Sequence, residues 1–316
     1  MRKYIIYITF LLSMLFITAA SCGGDRSSSE TKFSWIGGTD GIIASFIPDS
    51  PPLSVLGGGV DPFTIDVQLE NKGEYNIKPN EALVTLQGFD YTSFSISAPS
   101  QYITEGLIGK TEQGDVIVEG DQSSVSYEAN YVGSSTFSQE FTITANYCYK
   151  YQTKTAAILC LKQIPKERTR ETECAIENQQ LQFGSSSAPV QITSFSQRST
   201  GKNEISFTFK IENKGQGNIY KPKFVTKGEC RDDKTYADEV FVRLNFESGN
   251  VPIKCAALDN ANEGHIKLSQ GLKQMSCSID TTNLQTSAFE KSLSVTIEYT
   301  YKESASQSIT IEKSYE

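Results

Sequence analysis

"FTIDVQLENKGEYNI" (residues 63–77) and "ISFTFKIENKGQGNI" (residues 205–219) decide how this chain is built. Both contain Glu-Asn-Lys-Gly, starting at Glu70 and at Glu212, 142 residues apart. In the first copy Ile65, Val67 and Leu69 alternate with Asp66 and Gln68; in the second Phe207, Phe209 and Ile211 alternate with Thr208 and Lys210. Period-two alternation sends every second side chain to one face of an extended chain, so each stretch is a strand with one buried face. Neither has the spacing of a helix. Asn-Lys-Gly then supplies residues that tolerate positive φ, which suits a turn. The chain is read as two copies of one strand-built module.

The ends of the copies match as well. "ITANYCYKYQTKTAAILCLK" (residues 143–162) parallels "VTIEYTYKESASQSITIEK" (residues 295–313). Each reads as a hairpin. Pairing Tyr147 with Leu161 and Tyr149 with Leu159 collects the apolar residues on one face and sets Cys148 opposite Cys160 on the other, which predicts a Cys148–Cys160 disulfide. In the second copy Tyr299 with Ile311 and Tyr301 with Ile309 set Thr300 opposite Thr310. Between the copies lies "QIPKERTRETE" (residues 163–173), with one proline, six charges and no strand pattern. It reads as a linker over 164–173, leaving module one at 33–163 and module two at 174–316.

Module two holds Cys174, Cys230, Cys255 and Cys277. Four cysteines permit three connectivities. Shortest closure pairs Cys255 with Cys277, which leaves Cys174 with Cys230. Elsewhere "EALVTLQGF", "VSYEANYV" and "EVFVRLNF" are short runs rich in β-branched and aromatic residues between turn formers. Regular short strands with turn signals point to an all-β fold of two tandem β-sandwiches rather than a parallel α/β sheet.

The strand followed by Glu-Asn-Lys-Gly resembles the hydrophobic-x-hydrophobic-x-Asn-x-Gly signature of CARDB-type and related immunoglobulin-like modules of exported archaeal and bacterial envelope proteins. The resemblance covers residues 63–77 and 205–219, with support from the two terminal segments. It implies immunoglobulin-like sandwiches with a binding, adhesion or spacing role at the cell surface and no chemistry. Those modules usually lack the four cysteines of module two.

The N-terminal segment places such a protein outside the cytoplasm. Met1-Arg2-Lys3 is basic, residues 4–20 carry no formal charge, and Ala19-Ala20-Ser21-Cys22 ends the run in small residues, the pattern of a secretory signal over 1–22. The tetrapeptide resembles a lipobox, with Ala19 where Leu is usual, which makes Cys22 the lipid-attachment residue. The same letters fit plain signal cleavage, and the apolar run is at the short limit for a retained membrane anchor. "GGDRSSSETK" (residues 23–32) is small and polar and reads as a flexible tether. Setting Cys22 aside leaves six cysteines, an even number, as three disulfides in an exported protein require. A net charge of −8 argues against nucleic acid as a partner. The expected partners are the membrane through the N-terminus and a protein or glycan outside the cytoplasm.

No residue pattern demands catalysis, a cofactor or a metal. His265, the sole histidine, has no Gly-x-Ser-x-Gly elbow with it and reads as a solvent-facing or hairpin-edge residue. Asp232, Asp233, Asp238 and Glu239, and likewise Asp115, Glu119 and Asp121, read as acidic surface loops without EF-hand spacing. "LGGGVDP" (residues 56–62) lacks the Lys-Ser/Thr of a phosphate-binding loop. Tyr127, Tyr131, Tyr147, Tyr149 and Tyr151 crowd the end of module one; alternation makes them core, and exposure would make them a recognition surface. Trp35 is expected to seal the start of module one. The loop at 228–239 is the expected ligand-facing end of module two.

Overall fold

The computed structural model of this 316-residue chain describes residues 33–134, 136–167, 174–176, 179–222, 234–247 and 251–313. The expectations for the signal at 1–22, the tether at 23–32, Cys22 and Cys230 lie outside them, as does most of the 164–173 linker. Among the described residues the architecture is all-β, with one short 3-10 turn at Ala256–Leu258 and no α-helix.

Each copy contributes one flanking sheet. The first has the order β1-β3-β8, from β1 (Ile42–Phe46), β3 (Phe63–Asn71) and β8 (Gln122–Ala129). The second has the order β10-β12-β13-β18-β16, from β10 (Gln179–Gln180), β12 (Val190–Thr200), β13 (Glu204–Asn213), β18 (Leu272–Asp280) and β16 (Ile253–Cys255). The repeated strands are thus β3 and β13, each in the middle of its sheet. Their alternation is realised in full: Ile65, Val67, Leu69, Phe207, Phe209 and Ile211 are all buried.

A third, nine-stranded sheet belongs to both copies. Its backbone is β17-β15-β19-β9-β4-β5, from β17 (Glu263–Lys267), β15 (Glu239–Phe246), β19 (Phe289–Glu312), β9 (Gln139–Leu161), β4 (Ala82–Gln87) and β5 (Ser100–Tyr102). Three short strands extend it: β2 (Ser54–Leu56), parallel to the end of β19; β11 (Phe183–Ser185), on β9; and β14 (Asn218–Tyr220), on β19. The order reads the same from either end once the copies are exchanged, so the repeat is expressed as a pseudo-twofold through the β9–β19 pair. The ribbon of β6 (Thr111–Gln113) and β7 (Val116–Val118) stands apart from all three sheets.

The two expected hairpins are not formed. Residues 139–161 are one 23-residue strand and residues 289–312 one 24-residue strand, paired antiparallel from Phe289↔Leu161 to Ile311↔Gln139. Tyr149 faces Tyr301 and Tyr151 faces Tyr299, while Thr300 faces Lys150 and Thr310 faces Ser54. The reason is turn chemistry. "QTKTA" (152–156) and "ESASQS" (303–308) contain no Gly, Pro, Asn or Asp to reverse the chain. Continuing straight instead buries Thr153, Thr155, Ala157 and Leu159, and the threonine hydroxyls find partners in the Val190 carbonyl and the Ser185 hydroxyl. The Phe33–Glu316 unit is compact as a whole. The β9–β19 ladder therefore runs across the expected division at 164–173.

The same fact corrects two disulfides. Cys148 and Cys160 are twelve residues apart on one extended strand, roughly 40 Å at about 3.3 Å per residue, beyond the reach of a bridge, whose Cα atoms must lie within about 7 Å. Cys160 instead joins Cys174, with Cα atoms 5.7 Å apart, so Cys174 is not available to Cys230. Cys255 joins Cys277 across the β16–β18 ladder. Cys148 is disulfide-bonded too, so every cysteine among the described residues is oxidised.

The flanking sheets face the large one across an aromatic core. Tyr127 of β8 donates its hydroxyl to the Val84 carbonyl of β4 at 2.9 Å, bridging first and third sheets. On the other side Phe195, Phe207 and Phe209 stack with centroids 5.3–6.4 Å apart. Each such ring, fully buried, contributes about 1.5–3 kcal/mol by transfer from water.

Candidate functional site

The Glu-Asn-Lys-Gly motif is a lock between each flanking sheet and the long strands. Asn71, at the end of β3, is fully buried; its amide donates to the carbonyls of Tyr75 and Leu107, and its Oδ1 accepts from the Gly73 N–H and from the Tyr151 hydroxyl of β9. In the second copy Asn213 donates to the Gly217 carbonyl and accepts from the Tyr301 hydroxyl of β19 at 2.8 Å. The turn expectation needs one correction. None of the motif's residues has positive φ. The glycines are required for space: a Cβ on Gly73 would stand 1.9 Å from the Tyr151 hydroxyl, and one on Gly215 would stand 2.3 Å from that of Tyr301. The glutamates stay at the surface, where Glu70 pairs with Lys72, and Glu212 pairs with Lys210 and Lys214. Hydrogen bonds from those two lysines hold the Glu212 carboxyl at about 2.

Beside each lock lies a groove, and the two grooves are related by the repeat. The first, about 570 Å3, is lined by Glu74, Tyr75 and Asn76 after the motif and by Gln152 and Lys154 of β9, with Trp35, Lys78 and Lys110 among its other residues. The second, about 460 Å3, is lined by Gln216, Gly217 and Asn218 after the motif and by Lys302, Glu303 and Ser304 of β19, with Tyr147. The turn residues correspond at the 142-residue offset, the long-strand residues at one of 150.

The grooves differ where a large side chain changes sides. The first places Tyr75 edge-on against Tyr151 of β9, with ring centroids 5.4 Å apart; the second places Gly217 against Glu303 of β19. A Cβ on Gly217 would come within 2.4 Å of the Glu303 Cγ, so only glycine leaves room for that carboxyl. Glu303 accepts the Tyr147 hydroxyl at 2.7 Å, and burial pushes its carboxyl above the ordinary 4.5. In the first groove Glu74 is occupied structurally: its carboxylate accepts the N–H groups of Ile36, Gly37 and Ser187 at 2.6–3.0 Å. It fastens the start of the described chain to the segment after β11. Trp35 follows from this, lying half-buried in the groove rather than in the core.

With this geometry in hand, comparison with known proteins adds little. No family model matches the chain, and no curated protein matches it. Among solved structures, the secreted serine protease VesC from Vibrio cholerae is similar over 82% of this chain and 50% of that one, at 9% identity and a TM-score of 0.20. The chain thus spans about half the length of that protein, and so loose a superposition carries no argument.

The remaining sequence candidates are dispersed. His265 lies on β17, 3.2 Å from Glu239 and edge-on to the Phe241 ring. Asp115 sits in the β6–β7 turn, Glu119 pairs with Lys110, and Asp121 accepts the Ile108 N–H. Asp232 and Asp233 lie outside the described residues. No group of three or more His, Cys, Asp or Glu among the described residues is placed to hold a metal ion. The three glycines at 57–59 dock the loop through N–H bonds to Glu312, Gly133 and Tyr131. All five crowded tyrosines are core, and burial raises the hydroxyls of Tyr127, Tyr147, Tyr149 and Tyr151 well above their ordinary value. Sequence reasoning missed Lys78, Lys110, Lys154 and Glu303. Their one visible signal was the mismatch inside the repeat, Tyr75 against Gly217.

Proposed function

We propose that this is a non-enzymatic protein of the cell envelope, tethered to a membrane by its N-terminus and presenting two immunoglobulin-like modules for binding, adhesion or spacing. The observation that carries the reading is the cysteine chemistry. Disulfides persist in oxidising, extracytoplasmic compartments and are rare where thiol reductants prevail, and all five described cysteines are bonded. The basic-apolar-small start of the sequence and the seam at Cys22 supply the tether. Fractionation of native cells with mass spectrometry of the N-terminal peptide tests it. The expected result is a membrane fraction and an acylated Cys22 at the new N-terminus; soluble cytoplasmic protein with free thiols would refute it.

A second reading is favoured by the first groove: an accessory ligand-binding component of a carbohydrate-processing or transport system. Its lining draws on both sides of the 164–173 segment, Gln152 and Lys154 before it and Ser186 after it. Its volume falls in the range of about 300–1,000 Å3 usual for small-molecule sites. A thermal shift on addition of a small ligand would support this; a flat response across sugars, amino acids and nucleosides would remove it.

A further inference from the structure

The first groove gathers three lysines beside two carboxylates, Glu74 and Glu112, on an acidic chain. The sequence carries a net charge of −8, yet Lys78, Lys110 and Lys154 line one space of about 570 Å3. Lys78 and Lys154 are exposed, and neither has an ion-pair partner among the described residues. Lys110 is paired at 3.3 Å with Glu119, whose side chain is 61% exposed and free to be displaced. Of the two lining carboxylates, Glu74 is already satisfied by three backbone N–H groups, and Glu112 is likewise engaged by a partner of its own.

The uncharged lining is of one kind. Tyr75 is half-buried, packs edge-on against Tyr151 at 5.4 Å, and its hydroxyl makes no hydrogen bond among the described residues. Asn76 spends its Oδ1 on the Gly109 N–H and keeps its amide N–H groups to donate. Trp35 adds a second ring. Beside its two engaged carboxylates the groove therefore offers the unpaired ammonium groups of Lys78 and Lys154, neutral donors and two aromatic surfaces. The second groove lacks this set: Gly217 stands for Tyr75 and Ser304 for Lys154, and the Tyr147 hydroxyl is spent on Glu303.

Such a lining complements a ligand that combines carboxylates, hydroxyls and apolar C–H faces. Ammonium groups act as point charges toward carboxylates, and aromatic rings supply apolar area beside polar contacts. A peptide main chain would want free backbone amides or an open strand edge; Glu74 consumes the amides of Ile36, Gly37 and Ser187, and a peptide laid along the outer edge of β6 is the alternative that the polyglutamate arm below tests. We propose that the first groove binds an acidic saccharide, a sugar chain bearing carboxylates, held by Lys78, Lys110 and Lys154 over the rings of Trp35 and Tyr75. The inference rests on the second reading above and names its ligand class.

The test is isothermal titration of the full-length protein in detergent with uronate- and sialate-containing oligosaccharides, neutral oligosaccharides of matched length, and a polyglutamate peptide. The expected result is saturable binding of an acidic oligosaccharide, weakened at least tenfold between 50 and about 500 mM salt, as screening requires. Lys78→Gln with Lys154→Gln should weaken it at least tenfold, whereas Lys202→Gln, an exposed lysine elsewhere, should leave it unchanged. Both groove lysines are exposed, so the double variant does not threaten folding. No binding of any acidic oligosaccharide, binding indifferent to the double variant, or tighter binding of polyglutamate would each overturn the inference. Binding of neutral sugars alone would overturn it and leave the second reading standing. A flat titration leaves the envelope placement to the fractionation experiment.

Discussion

Replacing Gly73 with alanine separates a structural role for Glu-Asn-Lys-Gly from a functional one. The new Cβ would stand 1.9 Å from the Tyr151 hydroxyl, 2.5 Å from the Asp40 carbonyl oxygen and 2.8 Å from that of Ser187. The hydroxyl can swing away only by leaving Asn71 Oδ1, and the two carbonyls are backbone. Overpacking of this kind costs about 1–3 kcal/mol. Stranding the buried Asn71–Tyr151 bond costs about 1–3 kcal/mol more, so the expected loss is about 2–6 kcal/mol. Lys72, between the same neighbours, pairs with Glu70 at the surface. Lys72→Ala should leave stability close to that of the parent, because an exposed ion pair contributes little. Guanidinium unfolding with disulfides intact, followed by near-ultraviolet circular dichroism, reads both. Tyr151→Phe removes the nearest clashing atom, so the double variant with Gly73→Ala should cost less than the sum of the singles. A Gly73→Ala protein within about 1 kcal/mol of the parent would refute the lock.

Three further outcomes are expected. Inserting Asn-Gly between Lys154 and Thr155 would suit a hairpin but break the β9–β19 ladder, so cooperative unfolding and dispersed amide resonances should be lost; a well-folded insertion product would contradict the continuous strand. Glu303 has its carboxyl raised by burial. The folded state then binds more protons than the unfolded one, and stability falls as pH rises from about 4.5 through the folded value. Glu303→Gln should remove that contribution as the pH rises above about 4.5; an unchanged pH dependence would mean Glu303 does not cause it. Non-reducing peptide mapping should recover Cys160 linked to Cys174 and Cys255 linked to Cys277, and chain-entropy loss puts each closure at about 3 kcal/mol. A Cys148–Cys160 peptide would reject the register.

The grooves show how far a repeat can be read from its residues alone. Tyr75 opposite Gly217 is visible as a mismatch between copies, but its meaning depends on Tyr151 and Glu303, far along the chain. Only the folded chain sets each turn against its long strand. Lys78, Lys110 and Lys154 are unremarkable surface lysines in one dimension, and Glu74 becomes a clasp only when Ile36, Gly37 and Ser187 converge on it.

What the residues by themselves determined was local: strand over helix, the buried faces of β3 and β13, and burial of the tyrosines, all carried by side-chain alternation with period two. Partnership was decided in three dimensions. The edge of a strand presents the same N–H and C=O groups to any neighbour, so alternation cannot say whether residues 139–161 fold back on themselves or run straight along residues 289–312. The absence of turn residues near 152–156, together with the apolar surface buried by a shared nine-stranded sheet, settled it, and the disulfide pairing followed from that choice.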